Sequence, residues 1–97
     1  MKYIKKKLTI DKIKIEDIAK KFDTPTYCYS YTQLKKNISN FKKNFKSFSP
    51  LICFAIKSNT NLNLIREIQK FGLGADVVSM GELMMALKAG INPKKIV

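Results

Sequence analysis

An unbroken apolar run, Leu51-Ile52-Cys53-Phe54-Ala55-Ile56, narrows the possible folds of this chain more than any other stretch. It has the length of a strand, is far too short to cross a bilayer, and lacks the alternation of a strand with one wet face. It therefore predicts a strand covered on both faces, as in a parallel sheet. Parallel neighbours need a crossover between them, and the next residues supply one. Asn61 opens a helix with Leu64, Ile65 and Ile68 on its inner side, Gly72 or Gly74 ends it, and Ala75 to Ser79 reads as a second short strand. The pattern then recurs. Ser79-Met80-Gly81-Glu82 has capping-box spacing, the helix continues from Leu83 to Ala89, Gly90 suits its C-terminus, and Pro93 stands where a helix cannot continue. Ile96 and Val97 begin a third strand. Strand, helix, strand, helix, strand at these lengths predicts an α/β fold, either a βα barrel or an open doubly wound sheet.

Upstream the signals are more local. Residues 1–10 alternate weakly and are rich in lysine, so they read as a solvated arm or an edge strand. Ile15, Ile18, Ala19 and Phe22 share one helical face, and Asp23, Thr24 and Pro25 stop that helix. Thr26 to Tyr31 favours a strand, with Pro25 at its start, where a ladder tolerates proline. Thr32 is placed to cap a helix whose stripe is Leu34, Ile38, Phe41 and Phe45, and Ser49 and Pro50 break it. The division expected is therefore 1–31 for an arm, a short helix and a first strand, and 32–97 for the first βα units. A third strand of two residues does not complete a sheet, so the sequence reads as a fragment of a larger fold.

The formal charge of +12 invites a reading as a nucleic-acid or acidic-surface binder, above all through residues 1–48, where thirteen lysines face four acids. Eighteen of the nineteen basic residues are lysine and only Arg66 is arginine, whereas planar, bidentate recognition of phosphates and bases favours arginine. We therefore expect solvated faces and no specific nucleic-acid partner. Cys28 and Cys53 lie in apolar surroundings, without CxxC spacing and without any histidine to complete a zinc site. Buried free thiols are expected. With no signal-peptide core after the lysine-rich start, the expected location is the cytoplasm, with no membrane partner.

Chemistry is expected at the strand ends. In β/α folds the carboxyl ends of the strands converge on one rim, where a rigid scaffold carries variable loops. Lys57 follows the first apolar strand, and Asp76 and Ser79 lie in or end the second. An amine at the mouth of an apolar strand is partly desolvated and becomes nucleophilic, suited to condensing with an aldehyde. The plainer reading is a strand-end lysine reaching water, one of many in this chain. For Ser79 and Glu82 the plainer reading is the helix cap itself.

Four segments add to this reading. Phe54-Ala55-Ile56-Lys57-Ser58-Asn59 is similar to the Tyr-Ala-Val-Lys-Ala-Asn stretch of the fold-type III decarboxylases, and Gly74-Ala75-Asp76-Val77-Val78-Ser79-Met80-Gly81-Glu82-Leu83 to their Gly-x-Asp-Val-Val-Ser-x-Gly-Glu-Leu. Thr24-Pro25-Thr26-Tyr27-Cys28-Tyr29-Ser30 and Ala89-Gly90-Ile91-Asn92-Pro93-Lys94-Lys95-Ile96-Val97 resemble the flanking motifs, so the likeness runs from about Asp17 to Val97. The Val-Val-Ser-x-Gly-Glu-Leu form resembles the diaminopimelate decarboxylase family more than the ornithine and arginine enzymes, with another fold-type III decarboxylase of ornithine, arginine or carboxynorspermidine type as the alternative, and the Tyr-Gly-His continuation of alanine racemase is absent. Ile56, Ser58 and Met80 are small departures from the pattern.

The resemblance implies the N-terminal portion of a (β/α)8 TIM barrel that binds pyridoxal 5'-phosphate, preceded by a segment of the family's β domain. It implies that Lys57 carries the cofactor, with Asp76 steering protonation of its amine and Glu82 close by. It further implies decarboxylation of meso-diaminopimelate to L-lysine, a small amino-acid substrate and a homodimer. The later strands with the glycine-rich phosphate loop, the acidic partner of the pyridine nitrogen and the carboxyl-terminal β domain are missing from the sequence, so the chain alone is expected to be inactive.

Overall fold

The computed structural model describes residues 1–97, in two compact units, Met1–Asn44 and Phe45–Val97. In the first, β1 (Lys2–Ile4), β2 (Lys7–Ile10) and β3 (Ile13–Lys14) form an antiparallel meander with Tyr3 opposite Leu8 and Ile10 opposite Ile13. A solvated arm or a single edge strand was too simple an expectation for this segment. The reason lies in two two-residue turns, Lys5-Lys6 and Asp11-Lys12, whose φ values of 47° and 62°, then 47° and 70°, give the left-handed pair that matches strand twist. Neither turn carries the Asn-Gly signature that would have announced it.

Helix α1 (Ile15–Phe22) follows directly and stops at Asp23, whose φ of 60° leaves the helical region just before Pro25. The Lys7 amine bonds both Glu16 carboxylate oxygens at 2.9 and 3.0 Å and so ties α1 to β2. Thr26 to Ser30 forms no regular element and joins no ladder, and Tyr31 already belongs to α2 (Tyr31–Asn44), so the strand expected at 26–31 is not formed. β propensity shapes a backbone only where a neighbouring strand takes its hydrogen bonds. Cys28 in this segment is exposed rather than buried, and both thiols are free.

The cap of α2 is not Thr32. Ser30 Oγ accepts from the Gln33 amide at 3.0 Å and donates to Asp11 Oδ1 at 2.6 Å, while Asp11 Oδ2 accepts from the Thr32 amide at 3.0 Å. The β2–β3 turn thus caps a helix twenty residues away in sequence, which is why α2 groups with the first unit. Of its apolar stripe Ile38 is buried and Leu34 half-buried, while Phe41 and Phe45 stay exposed. The hydrogen bonds from Ser30 and then from the Thr32 amide hold the Asp11 carboxyl below the usual carboxylate range. A folded-state value below the unfolded one adds stability above the ordinary carboxylate pKa, and this is lost as pH falls through the depressed value. Thermal midpoints of the parent and Asp11→Asn are thus expected to differ at neutral pH and to converge on acidification below the ordinary carboxylate range.

The second unit holds the parallel sheet. β4 (Cys53–Ala55) pairs with β5 (Gly74–Asp76), with Cys53 opposite Gly74 and Ala55 opposite Asp76. Both strands are shorter than the runs at 51–56 and 75–79 that signalled them, because Ile56–Ser58 turns into a 3-10 helix and the backbone leaves the ladder after Asp76. β4 is half-buried, since it has a strand neighbour on one side only. The expected third strand is present in outline. Ile96 bridges Ala75 in parallel, the Val97 amide donates to the Ala75 carbonyl, and the Val77 amide donates to the Val97 carbonyl, both at 2.9 Å.

Helices α3 (Leu62–Lys70) and α4 (Met80–Lys88) make the two crossovers. Ile56, Ile65, Ala75, Ala86, Ala89 and Ile91 form the core, with Phe54, Val77 and Ile96 packed against it. Asn61 caps α3, its side chain accepting from the Asn63 and Leu64 amides at 3.0 and 3.3 Å. Asn61→Ala is expected to cost about 1 kcal/mol of stability, and Asn61→Ser to recover most of it, as read from urea denaturation followed by far-ultraviolet dichroism. Pro93 does not merely follow the last helix. It starts a 3-10 turn, Pro93–Lys95, capped by Asn92, which delivers the chain to Ile96.

Candidate active site

Parallel pairing brings the carboxyl ends of β4 and β5 to one rim. Asp76 is the last residue of β5, flanked by Ala55 on one side and by the Ile96–Val97 segment on the other. Its neighbours Ala75 and Val77 both pack into the core beside the helices. Because side chains alternate along a strand, Asp76 projects from the opposite face of the sheet, away from α3 and α4. It is half-buried there.

Lys57 stands on the same rim, in the middle of the 3-10 turn that follows β4. The side chain before it, Ile56, is completely buried and anchors the turn in the core, while Lys57 itself is exposed. The partial desolvation expected of this amine is therefore not provided by the chain's own residues. Lys7 pairs with Glu16 and Lys70 with Glu67, both away from the Lys57 amine. An exposed amine without an ion-pair partner, on a short rigid turn and beside a carboxylate-bearing strand end, suits an aldehyde-bearing cofactor such as pyridoxal phosphate, which must be able to reach the nitrogen.

Glu82 is used locally. Its carboxylate accepts from the Val78 amide at 2.9 Å, while Ser79 Oγ accepts from the Glu82 amide at 3.2 Å. This is a capping box shifted by one residue, since the reciprocal bond falls on Val78 rather than on Ser79. It closes the loop that leaves β5 immediately after Asp76, so Glu82 and Ser79 shape one wall of the rim. Two residues of the rim carried no strong signal in the sequence. Ser58 Oγ donates to the Ala55 carbonyl at 2.7 Å, and Asn59 Oδ1 accepts from the Asn61 amide at 3.0 Å. Short polar side chains just after a strand are the pattern that reveals such turns.

Comparison with known proteins agrees with this geometry. Residues 31–97 match the profile of the family described as pyridoxal-dependent decarboxylase, pyridoxal binding domain. A diaminopimelate decarboxylase of Helicobacter pylori is 44% identical over 84% of this chain and 20% of its own length. One of Aquifex aeolicus is 39% identical over 100% of this chain and 23% of its own. The crystal structure of diaminopimelate decarboxylase from M. jannaschii in co-complex with L-lysine superposes with a TM-score of 0.88 at 36% identity, over 93% of this chain and 22% of that one. The chain thus spans about a fifth of the length of these relatives, with the same α/β architecture over the part they share. With the lysine-bearing turn and the carboxylate-bearing strand end on one rim, this chain belongs to the pyridoxal-dependent decarboxylases and carries part of their pyridoxal binding domain.

Proposed function

We propose that these residues form part of the cofactor rim of a decarboxylase that converts meso-diaminopimelate to L-lysine, with Lys57 as the cofactor lysine. The observation that carries the proposal is the parallel register of Ala55 with Asp76, which sets the turn bearing Lys57 beside the end of the next strand. When bound, pyridoxal phosphate supplies the electron sink that holds the pair left behind as carbon dioxide departs. Lys57 would hold the cofactor through its amine, and the same amine, on the turn after β4, would be a group able to hold or return a proton. Asp76 favours the charged form of an amine that approaches it, since a carboxylate within a few ångströms stabilises an ammonium. Glu82 acts on the site by holding the loop after Asp76 through the Val78 amide.

The substrate assignment rests on the diaminopimelate decarboxylases among the relatives and on the L-lysine held by one of them. Closure of a full (β/α)8 barrel, a homodimer and a cytoplasmic location belong to the same proposal. No helix of the chain is long and apolar enough to cross a membrane. Activity belongs to a protein of the relatives' full length, where the remaining strands would surround the rim and desolvate the Lys57 amine.

The test is made at that length. Borohydride reduction of the pyridoxal-phosphate-loaded protein should fix one pyridoxyl group on Lys57, located by peptide mass mapping. Lys57→Ala should lose this label and release carbon dioxide from meso-diaminopimelate at a rate lower by about a thousandfold or more. A label of unchanged stoichiometry in Lys57→Ala would sink the assignment. Faster release from ornithine or arginine than from diaminopimelate would leave the lysine in place and change the substrate.

A further inference from the structure

The turn that bears Lys57 is held more firmly than its exposure suggests. On the side of β4, Ile56 is completely buried among Ile65, Ala86 and their neighbours, and α4 packs against the turn. On the side of α3, a series of short-range hydrogen bonds runs without a break. Ser58 Oγ donates to the Ala55 carbonyl at 2.7 Å, the Asn59 amide to the Ile56 carbonyl at 3.0 Å, and the Asn61 amide to Asn59 Oδ1 at 3.0 Å. Asn61 Oδ1 then caps α3. Lys57 lies between the packed anchor and the first of these bonds. Its four-carbon stem is flexible, so the direction in which its Cα–Cβ bond leaves the backbone decides which region the amine samples.

The Ser58 bond departs from the resembled motif in one respect. The motif that this stretch resembles has alanine at this place, so a hydroxyl closing the turn from the Lys57 side is an addition to the pattern. We infer that Ser58 is a positioning residue for Lys57: by holding the Ala55 carbonyl it keeps the turn closed and directs the amine over the rim. The inference rests on Lys57 being the cofactor lysine. Ser58 touches neither reacting group and acts only through the backbone of its neighbour.

The bond is exposed and neutral, so water competes for both partners and its removal is expected to shift rates by only about three- to tenfold. In the full-length protein freed of cofactor, Ser58→Ala should speed hydrogen exchange of the Asn59 amide by about fivefold. After pyridoxal phosphate is added, the borohydride-fixed label should build up on Lys57 about fivefold more slowly, because the amine is less preorganised. Ser58→Thr, which keeps the hydroxyl, should restore both rates. Labelling of Lys57 at an unchanged rate in Ser58→Ala overturns the inference and leaves the reading of Lys57 intact. So does a slowing that Ser58→Thr fails to restore, since the hydroxyl would then not be its cause. Absence of label on Lys57 in the unsubstituted protein overturns both.

Discussion

Gly74→Ala is expected to destabilise the second unit by about 3 kcal/mol, the upper end of what overpacking costs, and so to remove a large part of the stability a small domain has. A Cβ at this position would overlap the carbonyl oxygen of Lys95 and lie 2.9 Å from Cys53 Sγ. The carbonyl belongs to the backbone of the Pro93–Lys95 turn, which feeds the Ile96–Val97 segment onto β5, so it yields only if that segment moves. Gly72 makes the instructive contrast. Its φ of 77° penalises a side chain, but nothing lies within 4 Å of its Cβ position. Gly72→Ala is therefore expected to cost about 1 kcal/mol, from backbone strain alone. Urea midpoints of the two variants compare them directly. Adding Cys53→Ala to Gly74→Ala should recover little, because the backbone overlap persists; full recovery would show that the thiol, not the carbonyl, is the obstacle.

Ile56→Ala is expected to cost about 2–5 kcal/mol, against about 0.5–1.5 kcal/mol for Ile56→Val. Ile56 has no solvent exposure and packs at the centre of the cluster formed with Ile65, Ala75, Ala86, Ala89 and Ile91. Three of these partners are alanines, too short to collapse into the space that truncation would leave, so the cavity term stays high. The loss also reaches the rim, because the buried side chain is one of the two restraints on the turn that presents Lys57. Denaturation midpoints measure the stability cost. A cost below that of Ile56→Val would contradict the packing described.

How far the sequence alone could be read varied with the range of the interaction involved. The cap at Asn61, the Ser79–Glu82 pair and the stop at Asp23 were expected and are formed, because each is settled within four residues. The order of strands and helices from 51 to 97 was readable for a similar reason, since apolar runs and helical stripes are properties of short windows. Thr26 to Tyr31 failed as a strand although its residues favour one, because a strand needs a partner that local propensity does not reveal. The cap of α2 was expected at Thr32 but comes from Ser30, two residues earlier, together with Asp11, which no window around Thr32 contains. The meander at 2–14 was hidden by lysines occupying turn positions that glycine and asparagine usually mark.

The candidate site divides along the same line. The chain's own residues and their spacing placed Lys57 after one apolar strand and Asp76 within the next, while the structure made Asp76 the last residue of β5. Only the tertiary structure decided the register that sets Ala55 beside Asp76, that Asp76 faces away from the helices, and that Gly74 must remain bare for the Lys95 carbonyl to pass. The physical reason is that apolar runs, helical stripes and caps such as those at Asn61 and Ser79 follow from near neighbours in the chain. Register, face and close approach are set by packing between segments twenty or more residues apart, where no local preference operates.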